Sequence, residues 1–340
     1  MTISAPGLTL AAFLLLAAPA RCEQVMETHP LFGALVEITV ESEDRETGQN
    51  RIRDAMTVAR RLEALLSVED TTSPLTRLHS NAGRAAIPVP LDLYRLLALS
   101  RLMTRSTGGA FDVTVGPLLR RRQAAGADRS SASEALALVG GDKIVLEPPE
   151  NARLANEGMS VDFGGIVRGY ALERMAAMLR QSGVEKALLE FADTTVLAVG
   201  PPQGEAPFRV WVARGKVTLG SVALRDRSLS TARAQRRGED GDSPPIVDPR
   251  SGRFVDSDRQ ATVIARDAAI AEAWSTALVV DPDGALGLLE EPRDVEALVF
   301  DEHGEHRSPR FEDFTGWKSG RTRSDEGARK QPPPAPAENK

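Results

Sequence analysis

Four short apolar segments follow one another in the second half of the chain, with no helical segment between them. Parallel strands need a long crossover, which is usually a helix, so strands joined by short connections pair antiparallel. The sequence therefore predicts an α+β fold with mixed, largely antiparallel sheets packed against helices. The four predicted strands are 187–191, 195–199, 209–213 and 217–224.

Apolar residues at helical spacing predict the helices that pack on these sheets. Ile52 and Met56, for example, lie on one side of a segment that is otherwise rich in Arg and Glu. Phe111, Val113 and Val115 alternate as they would in a further strand. The predicted helices are 49–67, 91–106, 166–182 and 268–280, and the other predicted strands are 34–40, 143–146, 160–163, 261–265 and 295–300.

Composition and charge narrow the classes of function. The 340 residues are 41% hydrophobic and include one Cys, which supports a sizeable core without disulfides. The formal charge is −6, from 42 basic and 48 acidic residues, and no basic stripe is interleaved with aromatic residues. This balance argues against a nucleic-acid partner. Four His and a single Cys argue against a zinc cluster.

Both ends of the chain are predicted to lie outside the folded domain. Residues 8–18 are an uncharged apolar run, too short to span a membrane, which takes about 20 residues. The small residues Ala18-Pro19-Ala20 follow, as at a signal-peptide cleavage site. We therefore expect an exported, periplasmic protein. The expected segments are a signal peptide at 1–20, a lead-in at 21–30, one domain at 31–317 and a disordered Pro-rich tail at 318–340.

Cys22 leaves an alternative open for the N-terminus. Acylation of this Cys would make the chain a lipoprotein associated with the inner membrane. Arg21 disfavours the alternative, because lipoprotein processing prefers a small residue just before the Cys. A lone thiol cannot form an internal disulfide in either case.

The first candidate site is a strand-to-helix turn at Gly164-Gly165, preceded by Asp162. A Gly pair lets the backbone approach a ligand closely, and the N–H groups at a helix start attract anions. Arg168 lies in the first turn of the predicted helix, where a cation opposes the helix dipole unless an anion compensates. The alternative is an ordinary tight turn with a solvated Arg.

The second candidate is Glu272 with Thr276, four residues apart and so on one face of the predicted helix 268–280. A carboxylate and a hydroxyl together suit a cation that prefers oxygen ligands, such as Mg²⁺. The alternative is a solvated Glu and a Thr that bonds back to its own helix. Only the tertiary structure distinguishes the two interpretations.

Two further segments contain candidate residues. Asp248 lies in a turn marked by Asp-Pro and Ser-Gly pairs, where it either holds a ligand hydroxyl or amide or simply forms the turn. Asp112 lies within an apolar alternation and so needs a polar partner. Phe111 beside it belongs either to the core or to a surface that stacks on a ligand.

In this order the motifs resemble those of the FAD:protein FMN transferase family, the ApbE-like flavin transferases, over about Leu31 to Trp317. The segments that carry the resemblance are SPLTRLHSNAG (73–83), GGAFDVTVGPL (108–118), VDFGGIVRGYALE (161–173), PIVDPRSG (245–252) and ATVIARDAAIAEAWSTAL (261–278). The resemblance implies an ApbE-like (T-fold-related) architecture. It also implies Mg²⁺-dependent transfer of the FMN moiety of FAD onto a Thr or Ser hydroxyl of an exported acceptor protein, with release of AMP.

The resemblance also assigns residues, position by position. It implies that Glu272, Thr276 and the Gly165 carbonyl hold Mg²⁺. The implied catalytic residues are Asp248 and Arg237, and the implied FAD contacts are Ala110, Phe111, Asp112, Asp162, Arg168 and Ile246.

The chain departs from the family pattern within the site itself. Pro245 replaces the His of the H-I-I-D-P motif, and Glu272 replaces a metal-binding Asp. The loop 231–237 keeps only the Thr and the final Arg of T-S-G-D-Y-x-R. A second hypothesis is therefore a divergent, catalytically weakened member that binds flavin or docks a partner. An FAD pyrophosphatase, in which water replaces the acceptor hydroxyl, is the third.

Overall fold

The computed structural model describes residues 22–123, 129–191, 194–234, 245–289 and 294–319. The strands within these ranges are β1 Glu23–Leu31, β2 Ala34–Ser42, β3 Ile87–Pro88, β4 Ile144–Glu147, β5 Asn151–Leu154, β6 Ala187–Phe191, β7 Thr195–Val199, β8 Phe208–Arg214, β9 Val217–Leu224, β10 Ser228–Arg233, β11 Gln260–Ala265, β12 Val295–Asp301, β13 Gly304–Arg307 and β14 Lys318–Ser319. The helices are α1 Arg45–Leu65, α2 Pro74–Ser80, α3 Leu91–Ser106, α4 Gly116–Gln123, α5 Arg129–Ala137, α6 Val167–Gln181, α7 Ala268–Val280, α8 Pro282–Gly287 and α9 Phe311–Thr315.

An antiparallel sheet of eight strands forms the centre of the protein, in the order β1-β2-β6-β7-β10-β11-β12-β13. Every pair of neighbours in this sheet is antiparallel. Two sheets of three strands, β14-β9-β8 and β3-β5-β4, complete the β structure of the described residues. The predicted α+β class with largely antiparallel sheets is confirmed.

The central strands are buried on both faces, which explains their nearly continuous apolar sequences. Alternate residues of a strand face opposite sides of the sheet. In β11, Val263 packs into the main core with α1, α6 and α7, whereas Ile264 packs into a second apolar cluster formed with β8, β9 and α9. The strands β7, β11 and β12 are therefore held between two layers.

A close contact between α6 and α7 fixes the relative position of the two helices. A Cβ atom on Gly169 would lie 2.3 Å from both the carbonyl carbon and the oxygen of Ala268. Only glycine therefore allows the first turn of α6 to lie against the start of α7. Small residues on α7, such as Ala269 and Ala273, are fully buried and keep the helix close to its neighbours.

Two of the predicted strands, at 160–163 and 113–115, are wrong. In these segments, hydrogen bonds to nearby groups take the place of the backbone hydrogen bonds of a sheet. The segment 160–163 is irregular: the Val161 N–H donates to His79 Nε2 at 3.1 Å and the Asp162 N–H to the Val113 carbonyl at 2.7 Å. Val113–Val115 forms a 3₁₀ turn instead of a strand, because Asp112 Oδ1 accepts the Thr114 N–H at 2.8 Å and turns the chain.

The domain boundaries also differ from the prediction. Most of the predicted lead-in is strand β1, which pairs with β2 from Glu23 to Leu31. Lys318 and Ser319 pair with β9, although they were predicted to begin the tail. The predicted signal peptide and the remainder of the tail lie outside the described residues. Within the described part of the chain, no helix combines the length and the apolar character needed to cross a bilayer.

Candidate active site

A cavity of about 980 Å³ lies where the start of α6, the middle of α7 and the ends of β7, β10 and β11 meet. Residues from four separate sequence motifs come together in its wall. The predicted site residues that line the cavity are Ala110, Phe111, Asp112, Asp162, Gly165, Arg168, Ile246, Glu272 and Thr276.

The glycine turn and α7 converge in this cavity. A Cβ atom on Gly165 would lie 3.1 Å from Thr276 Oγ1 and 3.2 Å from the ring of Phe111. Glycine at this position therefore lets the backbone of the turn lie against the face of α7 that carries Thr276. Asp162 Oδ1 accepts the Gly164 N–H at 2.8 Å, which fixes the shape of the turn.

Glu272 is a buried carboxyl group at the contact between α6 and α7. Its Oε2 accepts the Gly169 N–H at 2.7 Å, and the residue is only 7% exposed. Burial raises the pKa of Glu272 to about 8. The hydrogen bond from the Gly169 N–H and the positive charge of Arg168 lower this pKa, but they do not cancel the effect of burial. A carboxylate this far from water is stabilised by a cation beside it.

The oxygen donors around Glu272 fit a hard divalent cation. The carboxylate, the Thr276 hydroxyl and the Gly165 carbonyl belong to the ligand class that Mg²⁺ prefers. The described residues contain no group of three or more His, Cys, Asp or Glu side chains that could hold a metal. Glu272 and Thr276 therefore offer one carboxylate and one hydroxyl beside the backbone of Gly165.

The backbone N–H groups at the start of α6 are mostly used within the protein. The Ile166 and Val167 N–H groups donate to the Phe163 carbonyl at 3.0 and 2.9 Å, and those of Gly164 and Gly169 donate to carboxylates. Because these N–H groups already donate hydrogen bonds within the protein, the start of α6 attracts an anion less strongly than free N–H groups would. The Arg168 side chain, which lines the cavity at the start of α6, is one cation that an anionic ligand there can contact.

The sequence profile of the ApbE family matches residues 32–299, which contain every described residue of the cavity wall. The chain belongs to the ApbE family. The recognition made from the motifs is thereby confirmed. The matched range is most of the 340-residue chain.

Relatives of this ApbE protein share one name. It is 26% identical to an "FAD:protein FMN transferase" of Klebsiella pneumoniae over 251 residues, 70% of this chain and 78% of the relative. A protein of the same name from Rhodobacter capsulatus is 29% identical over 300 residues, 81% of this chain and 55% of that relative. The shared name supports the prediction that this family member is a transferase enzyme.

Solved structures confirm the ApbE-like fold. The apo flavinyl transferase ApbE of Pseudomonas stutzeri superposes with a TM-score of 0.75 at 24% identity, covering 87% of this chain and 98% of that one. The ApbE protein of Thermotoga maritima gives a TM-score of 0.76 at 24% identity, covering 86% and 99%. At this level of sequence identity, the similarity to the two solved structures supports the fold of this chain.

Asp112 lines the cavity of this ApbE protein, but its oxygens already have partners. Oδ1 accepts the Thr114 N–H and hydroxyl at 2.8 and 2.6 Å, and Oδ2 accepts the Gly141 N–H at 2.7 Å. Burial raises the pKa of Asp112, and these bonds oppose the shift. Its carboxyl therefore holds together the loop that carries Phe111.

Asp248 is not part of the cavity wall, although Val247 and Pro249 on either side of it are. Its Oδ1 accepts from the Arg250 N–H and Nε, both at 3.0 Å, and its Oδ2 from the Ser251 hydroxyl at 3.0 Å. The structure supports the turn-forming alternative for this residue. The other predicted catalytic residue, Arg237, lies outside the described residues.

A chain of buried hydroxyls in the cavity wall was not predicted. Thr195 Oγ1 lies 3.1 Å from Ser230 Oγ, which lies 3.3 Å from Ser275 Oγ. The Ser275 hydroxyl donates to the Glu272 carbonyl at 2.9 Å, so the chain links β7 and β10 to α7. The only sequence signal was a hydroxyl residue at a core-facing position of each element.

Two further cations in the wall were also missed. Arg122 stacks over the ring of Phe254, with its guanidinium carbon 4.6 Å from the ring centroid. Arg233 also lines the cavity and pairs with Asp258 at 2.7 Å. The arginine run 120–122 was the signal for the first of these, but only a tertiary contact selects Arg122 from it.

Proposed function

We propose that this protein transfers the FMN moiety of FAD to a Thr or Ser hydroxyl of an exported acceptor protein and releases AMP, with Mg²⁺ as cofactor. One observation carries the proposal: in an ApbE-family chain, the turn at Gly165 and the α7 face with Glu272 and Thr276 meet in a single cavity. Its volume of about 980 Å³ is within the range of cavities that bind organic cofactors.

In the proposed reaction, the acceptor hydroxyl oxygen attacks the phosphorus of the FMN half. A new oxygen–phosphorus bond forms, the bond to the bridging oxygen of the diphosphate breaks, and AMP leaves with that oxygen. The hydroxyl proton passes to the solvent. Arg168 would pair with the diphosphate and so offset the negative charge that accumulates in the transition state.

The donor set of Glu272, Thr276 and the Gly165 carbonyl would hold Mg²⁺, which neutralises diphosphate oxygens when bound. Gly169 assists by donating its N–H to Glu272 Oε2, so that the carboxylate keeps one orientation. The ring of Phe111 forms one side of the same wall and offers an apolar surface to the substrate.

An assay with FAD, Mg²⁺ and Thr- or Ser-containing acceptor peptides tests the proposal. The expected products are a peptide carrying covalent, fluorescent flavin and an equal amount of AMP. Release of AMP and FMN without a peptide adduct would identify the FAD pyrophosphatase instead. Absence of both products, with FAD still bound, would contradict the transferase and the pyrophosphatase.

A flavin-binding module without transfer is the second candidate. Pro245 lines the cavity at the position of the family His, and it offers no group that takes or donates a proton. Isothermal titration with FAD, in the presence and absence of Mg²⁺, together with the product assay, separates the two functions. Tight FAD binding that Mg²⁺ leaves unchanged would favour the binding module.

We further propose that the protein is exported, on the basis of the apolar run 8–18 and the small residues after it. Cys22 is exposed and directly precedes β1. Cell fractionation is expected to place the protein in the periplasm. Detergent-dependent release that is lost in Cys22→Ser would instead establish the lipoprotein alternative.

A further inference from the structure

We infer that the protein has a second ligand site, for a phosphate group, at the opposite end of the central strands from the candidate active site. A separate cavity of about 620 Å³ lies there. Four arginines from α6, from the β9–β10 turn and from the β11–α7 junction line it, and we call it the arginine pocket. They are Arg180, Arg225, Arg227 and Arg266.

The two cavities use different ends of the same strands. Thr195, the first residue of β7, lines the active-site cavity, whereas Leu197 and Ala198 further along it line the arginine pocket. Likewise, Gln260 begins β11 in the active-site cavity, and Arg266 follows the other end of that strand in the pocket. A ligand in the arginine pocket is therefore separate from the FAD site.

Two of the guanidinium groups are held in place by the protein. Arg225 donates to the carbonyls of Pro201, Pro202 and Glu205. Arg180 pairs with Asp226 at 3.1 Å, and Asp226 Oδ1 also accepts the Gly200 N–H at 2.9 Å. Because these contacts orient the cations before a ligand arrives, binding costs less side-chain entropy.

Like charges face each other in the pocket. Burial lowers the pKa of Arg227, and repulsion from Arg266 lowers it further, while Asp294 opposes the shift. The four arginines face three acidic residues of the wall, and one of these, Glu173, carries less than a full charge because burial raises its pKa to about 7. An anion between Arg227 and Arg266 relieves their repulsion.

Phosphate suits this arrangement better than a carboxylate does. A phosphate group presents several oxygens and carries up to two negative charges, so guanidinium groups from different sides bind it at once. The pocket volume of about 620 Å³ exceeds that of one phosphate group and leaves room for a nucleoside attached to it. The shared chemistry is the phosphate, supplied either as inorganic phosphate or as a nucleoside monophosphate.

Titration of the FAD-free protein tests the site, with inorganic phosphate in one arm and AMP in the other, at constant ionic strength. We expect saturable binding in isothermal titration and a rise in the unfolding temperature. Arg266→Gln and Arg180→Gln are each expected to weaken binding about tenfold, since each removes one charged hydrogen-bonding partner. Arg61→Gln, on an exposed position of α1, is the matched control and should leave affinity unchanged.

The two arms identify the source of the phosphate. Equal affinities support inorganic phosphate, whereas tighter binding of AMP supports a nucleotide. Absence of saturable binding in both arms would overturn the site. Binding that survives the Arg180/Arg266 double substitution but is lost in Arg168→Gln would overturn it too, by assigning the phosphate to the active-site cavity. Because no arm measures transfer, failure of the proposed function would not be mistaken for failure of the arginine pocket.

Discussion

The two ends of the central strands present different chemical groups: oxygen donors at one end and arginines at the other. At one end, Glu272 lies beside Thr276 and Gly165, so oxygen donors gather around a buried carboxyl. At the other end, Glu173 is partly buried and also has a raised pKa, but its Oε1 accepts the Ala269 N–H at 2.8 Å at the start of α7, and arginines line the same pocket. The comparison teaches that a carboxyl with a raised pKa is a candidate metal ligand only where its neighbours supply further oxygen donors.

The largest expected effect is on catalysis and comes from Glu272→Gln. Transfer should fall at least about 10²-fold, because the variant loses the negative charge that would balance the divalent cation. The amide can still accept the Gly169 N–H, and it is not charged, so the unfolding temperature should not fall. Covalent flavin formation and thermal unfolding measure the two properties.

Glu173→Gln is the matched control at the other end of the strands. Its transfer rate should fall far less than that of Glu272→Gln, since Glu173 lies outside the wall of the active-site cavity and its charge only raises the pKa of Glu272. Equal losses of transfer in the two variants would show that the two carboxyl groups do not differ in their importance for transfer. The same result would contradict the proposal that Glu272 binds the metal ion.

The next largest effect is on stability and comes from Gly169→Ala. The added methyl would lie 2.3 Å from backbone atoms of Ala268, so α6 and α7 must separate. We expect a loss of about 3 kcal/mol in the free energy of unfolding, measured by urea denaturation. Gly287→Ala in α8 is the control, because nothing lies within 4 Å of its added methyl, and it should change stability by less than about 1 kcal/mol.

Acid should destabilise the active-site end through His79. Burial lowers the pKa of His79 to about 4, with a further contribution from Arg120, while its Nε2 accepts the Val161 N–H just before Asp162. Between pH 6.5 and about 4 the unfolded chain binds a proton at His79 and the folded chain does not, so the stability that His79 contributes is lost as pH falls through this window. The loss should reach ~3 kcal/mol.

His79→Gln tests this dependence, because a side-chain amide can accept the Val161 N–H without titrating in this range. Urea unfolding of the variant between pH 4 and 7 should show a smaller loss on acidification than the unsubstituted protein shows. An identical pH profile for the two proteins would exclude His79 as its source.

A rise in pH from about 4.5 to 7 should destabilise the opposite end through Glu173, with a smaller effect. Its pKa is raised from 4.5 to about 7, mainly by burial, so the folded chain binds the proton more strongly. Stability therefore falls as pH rises through this window. We expect a loss of ~2 kcal/mol, less than the full shift implies because the side chain is partly exposed. In Glu173→Gln this decline should become smaller in urea unfolding profiles between pH 5 and 8, because only the contribution of Glu272, whose pKa is raised to about 8, then remains. A decline as large as that of the unsubstituted protein would contradict the assignment.

Much of the fold followed from sequence patterns because burial imposes them locally. The helices 91–106 and 268–280 and the strands 187–191, 195–199 and 217–224 match the structure at both ends. The errors lie where single side-chain bonds override propensity. Asp112 turns the apolar stretch 113–115 into a 3₁₀ turn, and His79 holds 160–163 outside any sheet.

The sequence by itself determined the α+β class, the ApbE family and the residue types of the site, because these depend on periodicity and on motifs within short segments. Only the tertiary structure decided which of those residues meet. It brought Gly165 against Thr276, directed the Asp248 carboxylate away into its own turn, and placed Ser230 and Ser275 in one wall. No motif predicts the arginine pocket, because Arg180, Arg227 and Arg266 come from segments far apart in the chain. They become neighbours only through the pairing of β7, β10 and β11 and the packing of α6 against that sheet.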